Sequence, residues 1–242
     1  MTSSRKAKPK PKSKAPPLPV SERRILVGVR RAFRALAPAS TLLPVTSKGN
    51  RYELYTYLCL AEVIEATARN FHIHNPNGGT TFQFKCSPTA VSNAYSFCTF
   101  HQNGRDYELR NGIEYAGHQM RHEIDIAIST PLAPGTYPHP HELRFAVECK
   151  YFADLNGLKG QLRGLVGGVL DLSPPDPARP DCLLIGAGFQ SHFACQHSPH
   201  QRTDFIDFLL SYRVAPLFNF HPAGKDMPLM RQWVQDFCRI LW

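Results

Sequence analysis

Along "SERRILVGVRRAFRALAP" the apolar residues Ile25, Val29, Phe33 and Leu36 recur at helical spacing with arginines between them. That period predicts an amphipathic helix opened by Ser21 and closed near Pro38. A loop with Pro44, Gly49 and Asn50 leads into "RYELYTYLCLAEVIEATARNF", a second helix over about 51–69. The period then shortens to two. "TTFQFKC", "AYSFCTF" and "DYELR", punctuated by Gly78-Gly79, Pro88 and Asn103-Gly104, read as antiparallel strands, and the Asn-Gly pair is a hairpin signal. Further strands are predicted at about 122–129 and 143–151. A helix in "GLKGQLRGLVGGVLDL" is stopped by Pro174-Pro175. "DCLLIGAG" is almost wholly apolar and predicts a central strand. The last third offers a short helix ("DFIDFLLSY"), a strand in "VAPLFNF" and a closing amphipathic helix ("MPLMRQWVQDFCRILW"). No internal repeat is visible. This alternation predicts an α/β fold, one mixed sheet flanked by helices.

Composition changes the picture at one end. "SRKAKPKPKSKAPPLP" has too little apolar surface to order itself, and its prolines oppose helix. Residues 1–20 are therefore expected to be a disordered Lys/Pro-rich tail, and 21–242 a single domain. The formal charge is +9. Residues 1–31 hold ten Lys/Arg and one acid, which accounts for all of it; the remaining 18 basic and 18 acidic residues cancel. The tail attracts phosphate backbones in a salt-dependent way, or simply aids solubility. Seven cysteines are dispersed with no CxxC pair, the pattern of reduced thiols in a cytoplasm. No apolar run approaches the ~18 residues of a membrane helix.

The chemistry lies in "RHEIDIAIST" and "ELRFAVECKY". Alternation puts Ile124, Ile126 and Ile128 on one face of the first strand, and Glu123, Asp125 and Ala127 on the other. In the second, Phe145, Val147 and Cys149 oppose Ala146, Glu148 and Lys150. If the strands are neighbours, Asp125, Glu148 and Lys150 meet. Two carboxylates brought together repel and lose hydration, so a positive group belongs between them. A divalent cation with oxygen ligands suits that place, Mg²⁺ above all beside phosphates. A plain salt-bridge network is the other reading, disfavoured because buried ion clusters seldom add stability.

An acid on one strand, Glu-x-Lys on the next, and an acid-bearing helix before them resemble the PD-(D/E)XK nuclease superfamily, with its restriction-endonuclease-like fold. The resemblance covers about residues 50–190. It implies that Asp125 and Glu148 hold Mg²⁺ (Mn²⁺ substituting), with the backbone carbonyl of Cys149 a further ligand, and that Lys150 assists the attacking water. The helix acid matches Glu53, which would bind a second metal or a water. Ile124 stands where the family carries a proline. Gln161, eleven residues after Lys150, matches the Gln found in the corresponding helix of several branches. Independently, Glu53 shares a stripe with the core-facing Tyr57, Leu60 and Ile64; its alternative role is a first-turn acid favouring the helix N-terminus.

Weaker signals complete the reading. Lys85, Arg121 and His122 are expected substrate contacts. His192, Cys195, His197 and His200 lie close together, yet their spacing matches no common zinc pattern, so a polar loop is the expectation. His139 and His141 belong to a proline-rich connector. The resemblance implies a Mg²⁺-dependent endonuclease acting on nucleic acid, double-stranded DNA foremost, in genome defence or repair. It also allows a homodimer or a targeting partner. The competing classes are a nuclease-fold module that binds nucleic acid without cutting it, and an assembly subunit of a larger complex.

Overall fold

The computed structural model describes residues 20–151, 158–176, 178–183, 188–196, 203–222 and 227–240. Of the tail expected at 1–20, residues 1–19 lie outside them, as do His197 and His200, while Val20 already belongs to a helix. Helix α1 (Val20–Leu36) buries the predicted stripe Ile25, Val29, Phe33 and Leu36. Helix α2 (Lys48–Thr67) starts at Ser47, whose hydroxyl accepts the Asn50 N–H at 3.0 Å and satisfies one of the first-turn donors. It stops at Thr67, short of the predicted 69. The chain then forms strand β2 (Arg69–His74), which the helical reading missed.

Short strands β1 (Thr41–Leu42) and β3 (Thr81–Phe82) pair parallel to each other, so "TTFQFKC" is not the antiparallel sheet strand expected. The predicted hairpin forms between β4 (Phe97–Gln102) and β5 (Arg105–Ala116). Asn103 and Gly104 both take positive φ, 50° and 76°, which a two-residue hairpin turn of this hand requires. Next come β6 (Arg121–Ser129), β7 (Leu143–Lys150), α3 (Leu158–Leu172), β8 (Pro175–Asp176) and β9 (Arg179–Leu183). The chain closes with β10 (Gln190–Cys195), α4 (Thr203–Ser211), β11 (Val214–Leu217) and α5 (Met227–Ile240). Seven strands make one mixed sheet in the order β11-β10-β7-β6-β5-β4-β2. β11, β10 and β7 run parallel, and the pairs from β7 to β2 are antiparallel.

The central parallel strand is not where apolarity placed it. Of "DCLLIGAG", residues 181–183 belong to β9, which pairs with β8 outside the main sheet, and 184–187 lie outside the described residues. The neighbour of β7 is β10, from a stretch that reads as a polar loop. Its His192 is buried because Nδ1–H donates to the Ala146 carbonyl at 3.2 Å and the ring sits against Phe145 and Trp233. Burial holds that imidazole neutral, its pKa pushed down to about 3. Strand β10 thus buries His192 and Cys195 in the core.

Two apolar cores form, one on each face of the sheet. The first gathers α1, α2 and α5 against Ile126, Ile128, Phe145 and Val147; the second gathers α3 and α4 against Ala127, Ala146, Phe193 and Val214. Strand β5 changes allegiance in its middle. Tyr107 and Leu109 face the first core, while Ile113 and Tyr115, of the same parity, face the second. Between them Gly112 adopts φ 59°, a left-handed backbone that only glycine takes freely. β6 switches at the same level: Ile126 and Ile128 belong to the first core and Ile124 to the second. The expected single face for the three isoleucines is therefore corrected, because simple alternation fails at a left-handed step. The pairs Asn111↔Ile126 and Ile113↔Ile124 set Gly112 opposite Asp125.

Candidate active site at the fork between two strands

The β6–β7 ladder runs from Ser129↔Leu143 to Ile126↔Val147 and ends there. Past that point an Asp125 carboxylate oxygen takes the place of a ladder carbonyl: the Cys149 N–H donates to its Oδ2 at 2.7 Å. The fork exists because a short acidic side chain reaches the backbone groups that the parted strands leave unpaired. Lys150 Nζ lies 3.4 Å from the same oxygen and 2.5 Å from Glu148 Oε1, so the ammonium stands between the two carboxylates. Asp125 is 5% exposed. Cys149 thus enters the site through its N–H as well as by its position between Glu148 and Lys150.

Helix α2 contributes Glu53, half-buried, whose charge acts on the cluster from the first-core side. Burial, then repulsion from Asp125, pushes its pKa up to about 8. The same causes in the same order lift Glu148 to about 8. Burial also raises Asp125, opposed by Lys150 and the Cys149 N–H, and burial with Asp125 raises Glu123. Burial works against the Lys150 charge, but Asp125 and Glu148 outweigh it and hold its proton above the usual lysine range. The balance of charge is plain. Four carboxylates (Glu53, Glu123, Asp125 and Glu148) gather around one ammonium that is ion-paired inside the group.

This donor set fits a hard divalent cation: carboxylate oxygens in excess, partly desolvated, repelling one another. Among the described residues no group of three His, Cys, Asp or Glu forms a preformed metal cage. Mg²⁺ does not require one, since it keeps several waters and takes one or two carboxylates beside phosphate oxygens.

The other expected site residues are spread more widely. Gln161 is exposed on α3. Lys85 is 3% exposed; its ammonium turns inward and donates to the carbonyls of Thr89 at 3.2 Å and Ala90 at 3.3 Å. Burial lowers its pKa to about 8, with Glu123 opposing. It clamps the loop before β4. Arg121 is exposed and lays its guanidinium over the Tyr137 ring at 3.5 Å. His122 is half-buried, its Nε2 2.8 Å from Asp171 Oδ2. His139 and His141 stack on each other, centroids 5.6 Å apart.

A cavity of about 90 Å³ opens beside Glu148, walled by His122 and Glu123 from β6, Ala146 from β7, Gly164 and Gly168 from α3, and Ser191 from β10. Sequence reasoning did not single out Glu123 or Asp171. Glu123 was legible as a second carboxylate two residues before Asp125 on one strand. Asp171, 49 positions after His122, gave no signal at all. Comparisons with protein-family models, with curated proteins and with solved structures find no match.

Proposed function

We propose that this chain is a metal-dependent nuclease of the PD-(D/E)XK kind, hydrolysing phosphodiester bonds in DNA with Mg²⁺, and that its mixed sheet is restriction-endonuclease-like. The observation that carries this reading is the surplus of carboxylates around Lys150 where β6 and β7 part. Asp125 and Glu148 would hold the cation, with the Cys149 carbonyl and Glu53 completing its surroundings. When bound, Mg²⁺ supplies charge to the scissile phosphate and lowers the pKa of a bound water.

The chain's own groups do the rest. Lys150 keeps its proton between two carboxylates, so it acts as a charged donor that orients water or a phosphate oxygen, not as a base. The Cys149 N–H fixes Asp125, and α2 brings Glu53 near enough for its charge to act on the same group. Orientation and charge neutralisation carry most of such a reaction.

A second reading, a nuclease-fold subunit without activity, is favoured by the ammonium already lying 2.5 Å from Glu148. One assay separates the two. Supercoiled and linear DNA are incubated with purified protein in Mg²⁺ or EDTA, beside Glu148→Gln and Lys150→Met. The nuclease reading expects cleavage that requires Mg²⁺ and falls at least ~100-fold in either variant. Wild-type protein that leaves every DNA substrate intact in Mg²⁺ and Mn²⁺ sinks it.

A further inference from the structure

Helix α1 turns its apolar stripe inward and leaves Arg23, Arg24, Arg30, Arg31 and Arg34 exposed on its outer side. At 100° per residue the five fall within an arc of about 120°, so they form one ridge. Among the described residues no carboxylate pairs with any of them. The acid of this helix, Glu22, is buried and already engaged: its Oε1 accepts from Arg51 Nη1 at 2.7 Å, and Lys48 Nζ lies 3.6 Å from Oε2. That contact ties the start of α1 to the start of α2, two residues before Glu53. Arg30 and Arg31 stand four and three positions before Arg34, spacings at which like charges repel. A charged face that costs stability and packs against nothing calls for a partner of opposite sign.

We propose that this ridge is a docking surface for the phosphate backbone of duplex DNA, flanking the fork at Asp125 and Glu148. The choice of DNA rests on the nuclease reading; the choice of a polyphosphate rests on the ridge itself. All five cations are arginines, whose planar forks meet phosphate oxygens two at a time. From Arg23 to Arg34 the helix rises about 16 Å, and a DNA strand sets one phosphate per ~3.4 Å of axis, so the ridge spans about four or five phosphates. An anionic membrane is the poorer fit, because an interfacial helix needs a free apolar face. Here that face is committed to the core through Ile25, Val29, Phe33 and Leu36, and Gly28 lies so close to Pro222 and Tyr55 that no Cβ would fit. Val27 is exposed, but one valine is no membrane anchor.

Binding of a fluorescent DNA duplex by the full chain is measured in EDTA, where no cleavage contributes, from about 50 to 200 mM salt. Two triple variants remove the same charge. One is Arg23→Gln/Arg30→Gln/Arg34→Gln on the ridge; the other is Arg105→Gln/Arg163→Gln/Arg213→Gln, at exposed positions elsewhere. The ridge triple should make the slope of log Kd against log salt shallower by about 2–3 and weaken binding at least ~30-fold at about 0.1 M. Its melting temperature should not fall, since the changes relieve repulsion. The control triple should stay within about threefold of wild type, its charges lying off the contacted phosphates. Equal losses in both triples, or a ridge triple that binds like wild type, overturn the proposal. So does tighter, ridge-dependent capture by phosphatidylserine vesicles than by the duplex.

Cleavage in Mg²⁺ separates this surface from the nuclease reading. A chain that binds DNA through the ridge but cuts none refutes that reading and keeps the surface. A chain that cuts DNA, with the ridge triple unchanged in Kd and KM, does the reverse.

Discussion

Replacing Glu53 by Gln should stabilise the metal-free protein, increasingly so as pH rises from about 4.5 to 8. The carboxyl on α2 is moved from its ordinary value of 4.5 to about 8, by burial and then by Asp125. A carboxyl with a raised pKa in the folded state binds its proton more tightly there than in the unfolded chain. Its contribution is therefore fully present below pH 4.5 and is lost as pH rises to about 8. Taken alone, a shift of that size corresponds to roughly 4–5 kcal/mol above pH 8. Glu148 is raised to about the same value by the same neighbour, so the two share one repulsion and their effects do not add. A gain of about 2–4 kcal/mol for Glu53→Gln at pH 8.5 follows. For a chain of this length that is roughly 5–15 °C in melting temperature. At pH 5 the gain shrinks to under about 1 kcal/mol, because the unfolded chain's carboxyl is then only partly ionised and keeping the folded one protonated costs little. Thermal unfolding of both proteins in EDTA across pH 5–8.5 reads it directly. Saturating Mg²⁺ should reverse the order at pH 8.5, since the cation neutralises the carboxylate that Gln lacks. Parallel pH profiles in EDTA would refute the charge cluster itself, whatever the protein's activity.

The remaining expectations concern the same fork. Binding of Mg²⁺ near pH 7 should release about one to two protons, falling toward zero above pH 9; calorimetry in buffers of different ionisation enthalpy counts them. Gly112→Ala should lower stability by about 1–2 kcal/mol in urea unfolding. Its φ of 59° is unfavourable for alanine, while the nearest atom to the new Cβ, 3.5 Å away, is an ordinary contact. Glu148→Gln and Lys150→Met should each remove Mg²⁺-dependent cleavage, but with opposite effects on thermal unfolding in EDTA at pH 8.5: Glu148→Gln deletes one carboxylate of an excess and should not lower stability, whereas Lys150→Met leaves Asp125 and Glu148 without their ammonium and should lower it.

Much of the architecture was legible because it depends on local period. The stripe of α1, the body of the Lys48–Thr67 helix, the Asn103-Gly104 hairpin and the alternation of β7 are each written in neighbouring residues, and the α/β sheet flanked by helices follows from their order. Asp125, Glu148 and Lys150 were legible for the same reason: charges in otherwise apolar strands stand out, and their parity predicts that they meet. Tertiary structure decided what composition argues against. β10 is an interior strand, between β11 and β7, despite Ser191 and His192, because a hydrogen bond to Ala146 and two aromatic neighbours satisfy a buried imidazole. The face switch at Gly112 depends on one backbone angle that no hydrophobic pattern records. Lys85 turned inward because two loop carbonyls needed a donor, and His122 acquired a partner 49 residues distant. Periodicity fixes which residues share a face, since it is set by the strand and helix geometry of the local chain. Which distant carboxylates and carbonyls converge is set by how the sheet forks and where the helices pack, and that is a property of the folded chain alone.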